Sequence, residues 1–129
     1  MINLIYEKAI NIELKNSIST DTSEISIKTT HEYNVSYSDD NSRCLAILKI
    51  GMQSQENPEV LTIMCTVVGE FLTGGINSEK EKKQVHVETY QQLFPYGQTL
   101  LSHLCTEALL PPFYFPKINM TTEDVIING

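Results

Sequence analysis

Hydrophobic and polar residues alternate along the first third of the chain. Alternation with a period of two places every second side chain on the same face of a strand. It predicts a first strand over residues 4–15 and a second over residues 25–37. In the first strand the apolar residues of one parity are Leu4, Tyr6, Ile10, Ile12 and Leu14. The second strand has a half-buried face made of Ile25, Ile27, Thr29, His31, Tyr33, Val35 and Tyr37.

Two more strands follow, each preceded by a polar turn. Residues 38–42 are Ser, Asp and Asn, whose short side chains hydrogen-bond to their own backbone in turns. A third strand is predicted over residues 43–53, a second turn over 54–58, and a fourth strand over 59–73. In the third and fourth strands apolar residues occupy both odd and even positions, which indicates that both faces of these strands are buried. Because each connection is too short for a crossover helix, the economical topology is a four-stranded antiparallel β-meander.

The hydrophobic period changes after residue 78. Mixed charges over residues 79–84 predict a solvated linker. Apolar residues then recur at helical spacing, which predicts a long helix over residues 94–109 with Pro95 near its start. Pro111 and Pro112 end it, because proline cannot continue the hydrogen-bond ladder. The short segment after Pro116 has Thr121 or Thr122 as a cap. The prediction is one α+β domain over residues 1–129: the meander, one long helix and a short C-terminal segment.

Composition and charge restrict the partners. The 129 residues are 41% hydrophobic with 5 Pro and 6 Gly, as expected of a globular chain. Sixteen acidic residues against nine basic ones give a net charge of −7, which repels nucleic acid and anionic lipid and favours basic peptides. No apolar run approaches the roughly 20 residues of a membrane span, and the N-terminus lacks a signal-peptide pattern. We therefore expect a soluble, cytoplasmic protein.

Residues with reactive side chains do not form a catalytic or metal-binding pattern. The three cysteines cannot all pair, and each occupies an apolar position, as core residues do: Cys44, Cys65 and Cys105. The three histidines are far apart and form no metal-ligand motif: His31, His86 and His103. No nucleophile, base and orienting group can be assembled. The sequence predicts no enzyme activity, no metal and no cofactor.

A proline-bracketed aromatic run follows the predicted helix. Three aromatic residues in succession on an extended backbone cannot all point inward, so some are expected to be exposed, and contiguous exposed apolar surface marks a binding site. Aromatic surface suits many sequences because it needs area and no particular hydrogen-bond pattern. The predicted peptide groove consists of Leu110, Phe113, Tyr114 and Phe115, with Phe71 on the neighbouring strand.

The motif Leu93-Phe94-Pro95-Tyr96, followed by a helical stripe and a proline-broken apolar loop, resembles the L-F-P-Y signature of SecB export chaperones. Residues 65–74 are similar to the last strand of that family. The resemblance covers nearly the whole chain. It implies a homotetramer built as a dimer of dimers, which holds non-native polypeptides in apolar grooves without nucleotide hydrolysis and passes precursors to the SecA motor.

Two departures from the family's pattern concern SecA. Thr66 stands where the family has a glutamate, and the C-terminal segment is reduced to residues 121–129. These departures are more compatible with a general holdase role than with a dedicated export role. Two alternatives stay open: an interaction module with one dedicated partner, antitoxin-linked or phage-related, and a small thioesterase-like enzyme. In the thioesterase-like fold the helix precedes most strands, whereas here it follows them.

Overall fold

A computed structural model of the chain describes residues 2–18, 26–108 and 110. Four antiparallel strands are followed by one long helix, which confirms the predicted α+β class. The strand bounds agree with the sequence pattern to within about two residues. The elements are β1 (Asn3–Asn16), β2 (Ile27–Tyr37), β3 (Arg43–Ser54), β4 (Leu61–Leu72) and α1 (Glu79–Glu107).

The strand order is β1-β4-β3-β2, so the predicted four-strand meander is wrong for β1. Strands β2, β3 and β4 do form a meander, but β1 pairs with β4 and lies at the opposite edge from β2. Asn16 lies opposite Leu61, and Ile27 lies opposite Ser54, so both ends of the β1–β2 connection lie at the same end of the sheet. Three strand spacings are about 14 Å. Residues 17–26 could reach about 33 Å when extended, so no helix is needed for this crossing.

The turn between β2 and β3 is confirmed, and its side chains close it. The Asp40 carboxylate accepts hydrogen bonds from the hydroxyls of Ser38 and Ser42, at 2.9 and 2.7 Å, and from the Ser42 N–H at 3.0 Å. The hydrogen bonds from Ser42, with that from Ser38, lower the pKa of Asp40 to about 2. Asn41 has a positive φ of 57°, a conformation that asparagine tolerates better than most residues.

Helix α1 begins at Glu79, fifteen residues before the predicted start, so the predicted charged linker is wrong. The Ser78 hydroxyl accepts a hydrogen bond from the Glu81 N–H at 3.1 Å, and Glu79 and Glu81 place acidic groups in the first turn. Both features stabilise a helix N-terminus. Pro95 therefore lies inside the helix, on its exposed side. The C-cap at Ala108 agrees with the predicted end.

Helix α1 packs across one face of the sheet, and the core lies between them. The alternate residues Cys44, Ala46, Leu48, Ile50 and Met52 of β3 are all buried, because alternate residues of a strand share one face. Gly97 allows the close approach of helix and sheet, because a Cβ there would lie 3.3 Å from side-chain atoms of Leu48 and Ile50. The fully buried helix residues include Tyr90, Leu93, Leu101 and Cys105.

Candidate functional site

A polar and aromatic layer joins edge strand β2 to helix α1. His31 Nε2 and Tyr90 Oη are hydrogen-bonded at 2.8 Å, and the Tyr33 hydroxyl is hydrogen-bonded to the Thr89 hydroxyl. Further along β2, the Tyr37 hydroxyl donates to the main-chain carbonyl of Lys82 at 3.1 Å. Side-chain hydrogen bonds therefore connect three residues of β2 to the helix.

Aromatic contacts run through the same layer. Tyr33 meets the His86 ring edge-on, with centroids 4.9 Å apart, and meets the Tyr90 ring at 5.1 Å. The Tyr90 and Phe94 rings lie 5.5 Å apart. Edge-to-face and tilted ring pairs at these distances stabilise packing beyond the burial of their area. The layer therefore fixes β2 on the first half of the helix.

Burial sets the protonation of this layer. It lowers the pKa of His31 and of His86, because the imidazolium form loses hydration. It also raises the pKa of Tyr37 to about 12 and those of Cys44 and Cys65 to about 11. At neutral pH the thiols are protonated and weakly nucleophilic. The arrangement suits packing better than catalysis.

We expect this layer to weaken in mild acid. A histidine of the unfolded chain takes up a proton near pH 6.5, whereas a histidine of lowered pKa in the folded chain takes it up only at lower pH. The unfolded state then binds more protons, so the free energy of unfolding falls as the pH falls from 7 to 5. Urea unfolding at both pH values should show a smaller loss for the double variant His31→Gln, His86→Gln than for the parent. The exposed His103→Gln serves as the control, and equal losses in all three proteins would contradict the expectation.

The four residues of the L-F-P-Y motif lie mid-helix. Leu93 is fully buried and Phe94 is 5% exposed, whereas Tyr96 is half-buried and Pro95 is exposed. Leu93 and Phe94 belong to the hydrophobic core, and Tyr96 packs against it. The motif therefore packs the helix onto the sheet, and the prediction that it starts the helix is wrong.

The predicted groove residues fall partly within the described structure. Leu110 is half-buried against the core, and its N–H donates to the Cys105 carbonyl at 3.0 Å. Phe71 is fully buried on β4, so in this arrangement its ring packs in the core and has no accessible surface. Phe113, Tyr114 and Phe115 lie outside the described residues. The groove stays a prediction.

Strand β1 carries an exposed apolar surface that the sequence reasoning did not single out. We call it the β1 edge surface: Leu4, Ile5, Tyr6, Ile10, Ile12 and Leu14, each between 37% and 55% exposed. The sequence signal was present, because β1 alternates like a strand with one covered face. The strand order is not encoded in that local pattern. It places β1 at the edge of the sheet, at the margin of the area that α1 covers.

Within residues 2–18, 26–108 and 110, no three His, Cys, Asp or Glu side chains come close enough to hold a metal ion. The one helix of that part of the chain is not apolar enough to cross a membrane.

Comparison with known proteins gives a match in structure alone. No protein-family model matches the sequence, and no curated protein matches it. A solved structure of Mycobacterium tuberculosis Rv1957, a SecB-like chaperone in complex with a ChAD peptide from the Rv1956 HigA1 antitoxin, superposes with a TM-score of 0.65. The match covers 92% of this chain and 88% of that chain, at 16% sequence identity. The four-stranded antiparallel sheet with one long helix is therefore the SecB-like fold, as the sequence motif indicated.

Proposed function

We propose that this protein is a SecB-like molecular chaperone, an ATP-independent holdase that binds non-native polypeptides in an apolar groove. The observation that carries the proposal is the shared fold, over 92% of the chain, with a SecB-like chaperone whose structure contains a bound peptide. The aromatic run at residues 113–115 supports it. In the sequence this run comes shortly after the C-terminal end of α1 and is bracketed by prolines, which restrict the backbone and so reduce the conformational entropy lost on binding a client.

Charge and chemistry agree with this proposal. The net charge of −7 favours basic segments of a client by long-range attraction. The thiols of Cys44 and Cys65 are buried and their pKa values are raised, so neither is an activated nucleophile, in keeping with a protein that is not an enzyme. Three free, buried cysteines suit a reducing compartment, and the proposed location is the cytoplasm.

The SecB resemblance also suggests protein export and a homotetramer. Thr66 is 9% exposed on β4, where the family has an acidic residue, so SecA recognition at that position would have to differ. We therefore place general holding of polypeptides ahead of export through SecA. The homotetramer, a dimer of dimers, is part of the proposal.

A second candidate function is an interaction module with one dedicated partner. The observation that favours it is the antitoxin peptide bound to Rv1957. The two candidates differ in how many sequences bind, since a dedicated module would discriminate against most extended peptides whereas a holdase would not.

Fluorescence anisotropy with a permanently unfolded, carboxymethylated protein tests the holdase directly. We expect micromolar binding to several unrelated unfolded chains, and none to the same proteins in their native state. Affinity capture followed by mass spectrometry then separates the candidates, because many clients indicate a holdase and one dominant partner indicates a module. If no unfolded chain binds at tens of micromolar, the holdase proposal is wrong.

A further inference from the structure

The C-terminal end of helix α1 is poorly stabilised by the helix's own sequence. Glycine commonly favours the turn that ends a helix, and cations in the last turn balance the negative end of the helix dipole. The sequence has no glycine between Gly97 and Gly129, and the last turn of α1 has no basic residue. The final helical residue, Glu107, is acidic. The end of α1 therefore depends on contacts from elsewhere in the fold.

Asn16, the last residue of β1, makes such a contact. Its Nδ2 donates a hydrogen bond to the main-chain carbonyl of Ala108, the C-cap of α1, at 2.9 Å. Its Oδ1 accepts a hydrogen bond from the N–H of Ile18 at 3.3 Å. A carboxamide has a donor and an acceptor, and both are used here. One side chain therefore joins the chain that leaves β1 to the end of α1.

The backbone around Asn16 is fixed by β4 and by the turn that precedes it. Asn16 pairs with Leu61 of β4. The Ser17 N–H donates to the Val60 carbonyl at 2.9 Å, and the Ser17 hydroxyl donates to the Glu59 carbonyl at 3.1 Å. Because its main chain is held by these bonds, Asn16 presents its side-chain donor from a fixed position.

The chain beyond the C-cap stays close to the core. The Leu110 N–H donates to the Cys105 carbonyl at 3.0 Å, which is the C″-to-C3 hydrogen bond of a Schellman motif. Ile18, Ala108 and Leu110 all pack against the core cluster. In the sequence the aromatic run at residues 113–115 follows shortly afterwards. The hydrogen bond at Ala108 therefore fixes the point from which this run leaves the helix.

Other hydrogen bonds between the sheet and α1 lie nearer the N-terminus of the helix. The polar layer acts between Lys82 and Tyr90, and the Cys65 thiol donates to the Gly97 carbonyl at 3.8 Å. Ala108 lies about three helical turns beyond Gly97. Loss of the Asn16 contact is therefore expected to act on the end of α1 and to leave its first half in place.

We propose that Asn16 is a positioning residue of the peptide groove, because it caps α1 and so sets where residues 113–115 leave the helix. The inference rests on the proposed holdase function. Asn16 acts through the helix end and not by touching the client. A fixed point of departure leaves fewer conformations to be ordered when a client binds, so it raises the affinity.

The isosteric variant Asn16→Asp tests this role. It keeps the acceptor for the Ile18 N–H, but it cannot donate to Ala108, and it adds a negative charge at the negative end of the helix dipole. We expect it to raise the dissociation constant for the carboxymethylated client about fivefold, and Asn16→Ala to have a similar effect. Asn34→Asp is the matched control, because Asn34 is exposed on β2 and the change in charge is the same. It should bind within about twofold of the parent.

A second substitution, Glu107→Lys, separates positioning from stability. A cation in the last turn stabilises the helix end through the dipole, but it does not replace the hydrogen bond from Asn16. Added to Asn16→Ala, it should return the urea midpoint towards that of the parent. The affinity should stay about fivefold below that of Glu107→Lys alone. If the affinity recovers together with the stability, or if Asn16→Asp binds the client as tightly as the parent, the positioning role is wrong.

Hydrogen exchange of the Leu110 amide tests the cap without a client. Asn16→Asp should accelerate this exchange about tenfold, because the helix end opens more often, and Asn34→Asp should not change it. Unchanged exchange in Asn16→Asp would overturn the cap and the positioning role together. Accelerated exchange in a protein whose parent binds no unfolded chain would refute the holdase proposal while confirming the cap, so the two failures are distinguishable.

Discussion

Replacing Leu93 by alanine is expected to lower the free energy of unfolding by about 3 kcal/mol, the usual scale for a leucine deleted from a core. Leu93 has no exposed surface and belongs to the cluster between α1 and the sheet. A methyl group built on Gly69 would lie 3.4 Å from Leu93 Cδ1, so the leucine packs directly on β4. Urea unfolding followed by circular dichroism measures the loss.

The neighbouring Gln92 is a matched control for Leu93, because it occupies the same helix and is exposed. Gln92→Ala should change the free energy of unfolding by less than about 0.5 kcal/mol. This contrast separates packing from helix propensity. If Leu93→Ala is as mild as Gln92→Ala, the motif does not pack the helix onto the sheet as described.

Replacing both Tyr114 and Phe115 by serine is expected to weaken the binding of unfolded protein at least tenfold, which corresponds to about 1.4 kcal/mol. Burial of ~100 Å² against one ring contributes roughly 2 kcal/mol before ordering costs, so two rings account for the expected loss. Anisotropy with the carboxymethylated client measures the dissociation constant. The fold and the oligomeric state should not change.

The conservative variant Tyr114→Phe is the control for this pair, because it removes the hydroxyl and keeps the ring. Sequence-tolerant binding depends on apolar area, so this variant should bind within twofold of the parent. A folded double-serine variant that binds as tightly as the parent would refute the groove assignment. The aromatic run would then belong to the protein's own core.

Local patterns predicted most of the fold. Period-two alternation located β1 and β2, and apolar runs that follow polar turns located β3 and β4. The short polar side chains at residues 38–42 located the turn that Asp40 closes. These features depend on neighbours in sequence. The position of β1 beside β4 depends on long-range pairing, and the local pattern is equally compatible with β1 beside β2.

The true start of α1 differs from the predicted one for another reason. Pro95 suggested a first turn, and the mixed charges of residues 79–84 suggested solvent exposure. The Ser78-x-x-Glu81 capping pattern was present in the sequence and marks the true start. The buried face of the helix also includes the polar residue Thr89. Its burial is tolerated because its hydroxyl donates to the Val85 carbonyl at 2.8 Å. Because Thr89 is polar, the hydrophobic pattern of the sequence does not reveal the N-terminal half of the helix.

The residue types of the candidate site could be predicted from the sequence, but their arrangement in space could not. A run of three aromatic residues between prolines is visible in the sequence, whereas the burial of Phe71 is a consequence of how β4 packs under the helix. The His31–Tyr90 and Tyr33–Thr89 contacts join residues more than fifty positions apart. No local signal specifies such pairs.

Aggregation of an unrelated, chemically unfolded protein in the presence of the purified chain, without nucleotide, tests the central proposal most directly. Light scattering should fall in proportion to the amount of chaperone and be suppressed near stoichiometric ratios. Added ATP should make no difference, since the proposed holding depends on the burial of apolar area and not on nucleotide hydrolysis. Undiminished scattering at a several-fold excess of the folded, assembled protein would contradict the proposal.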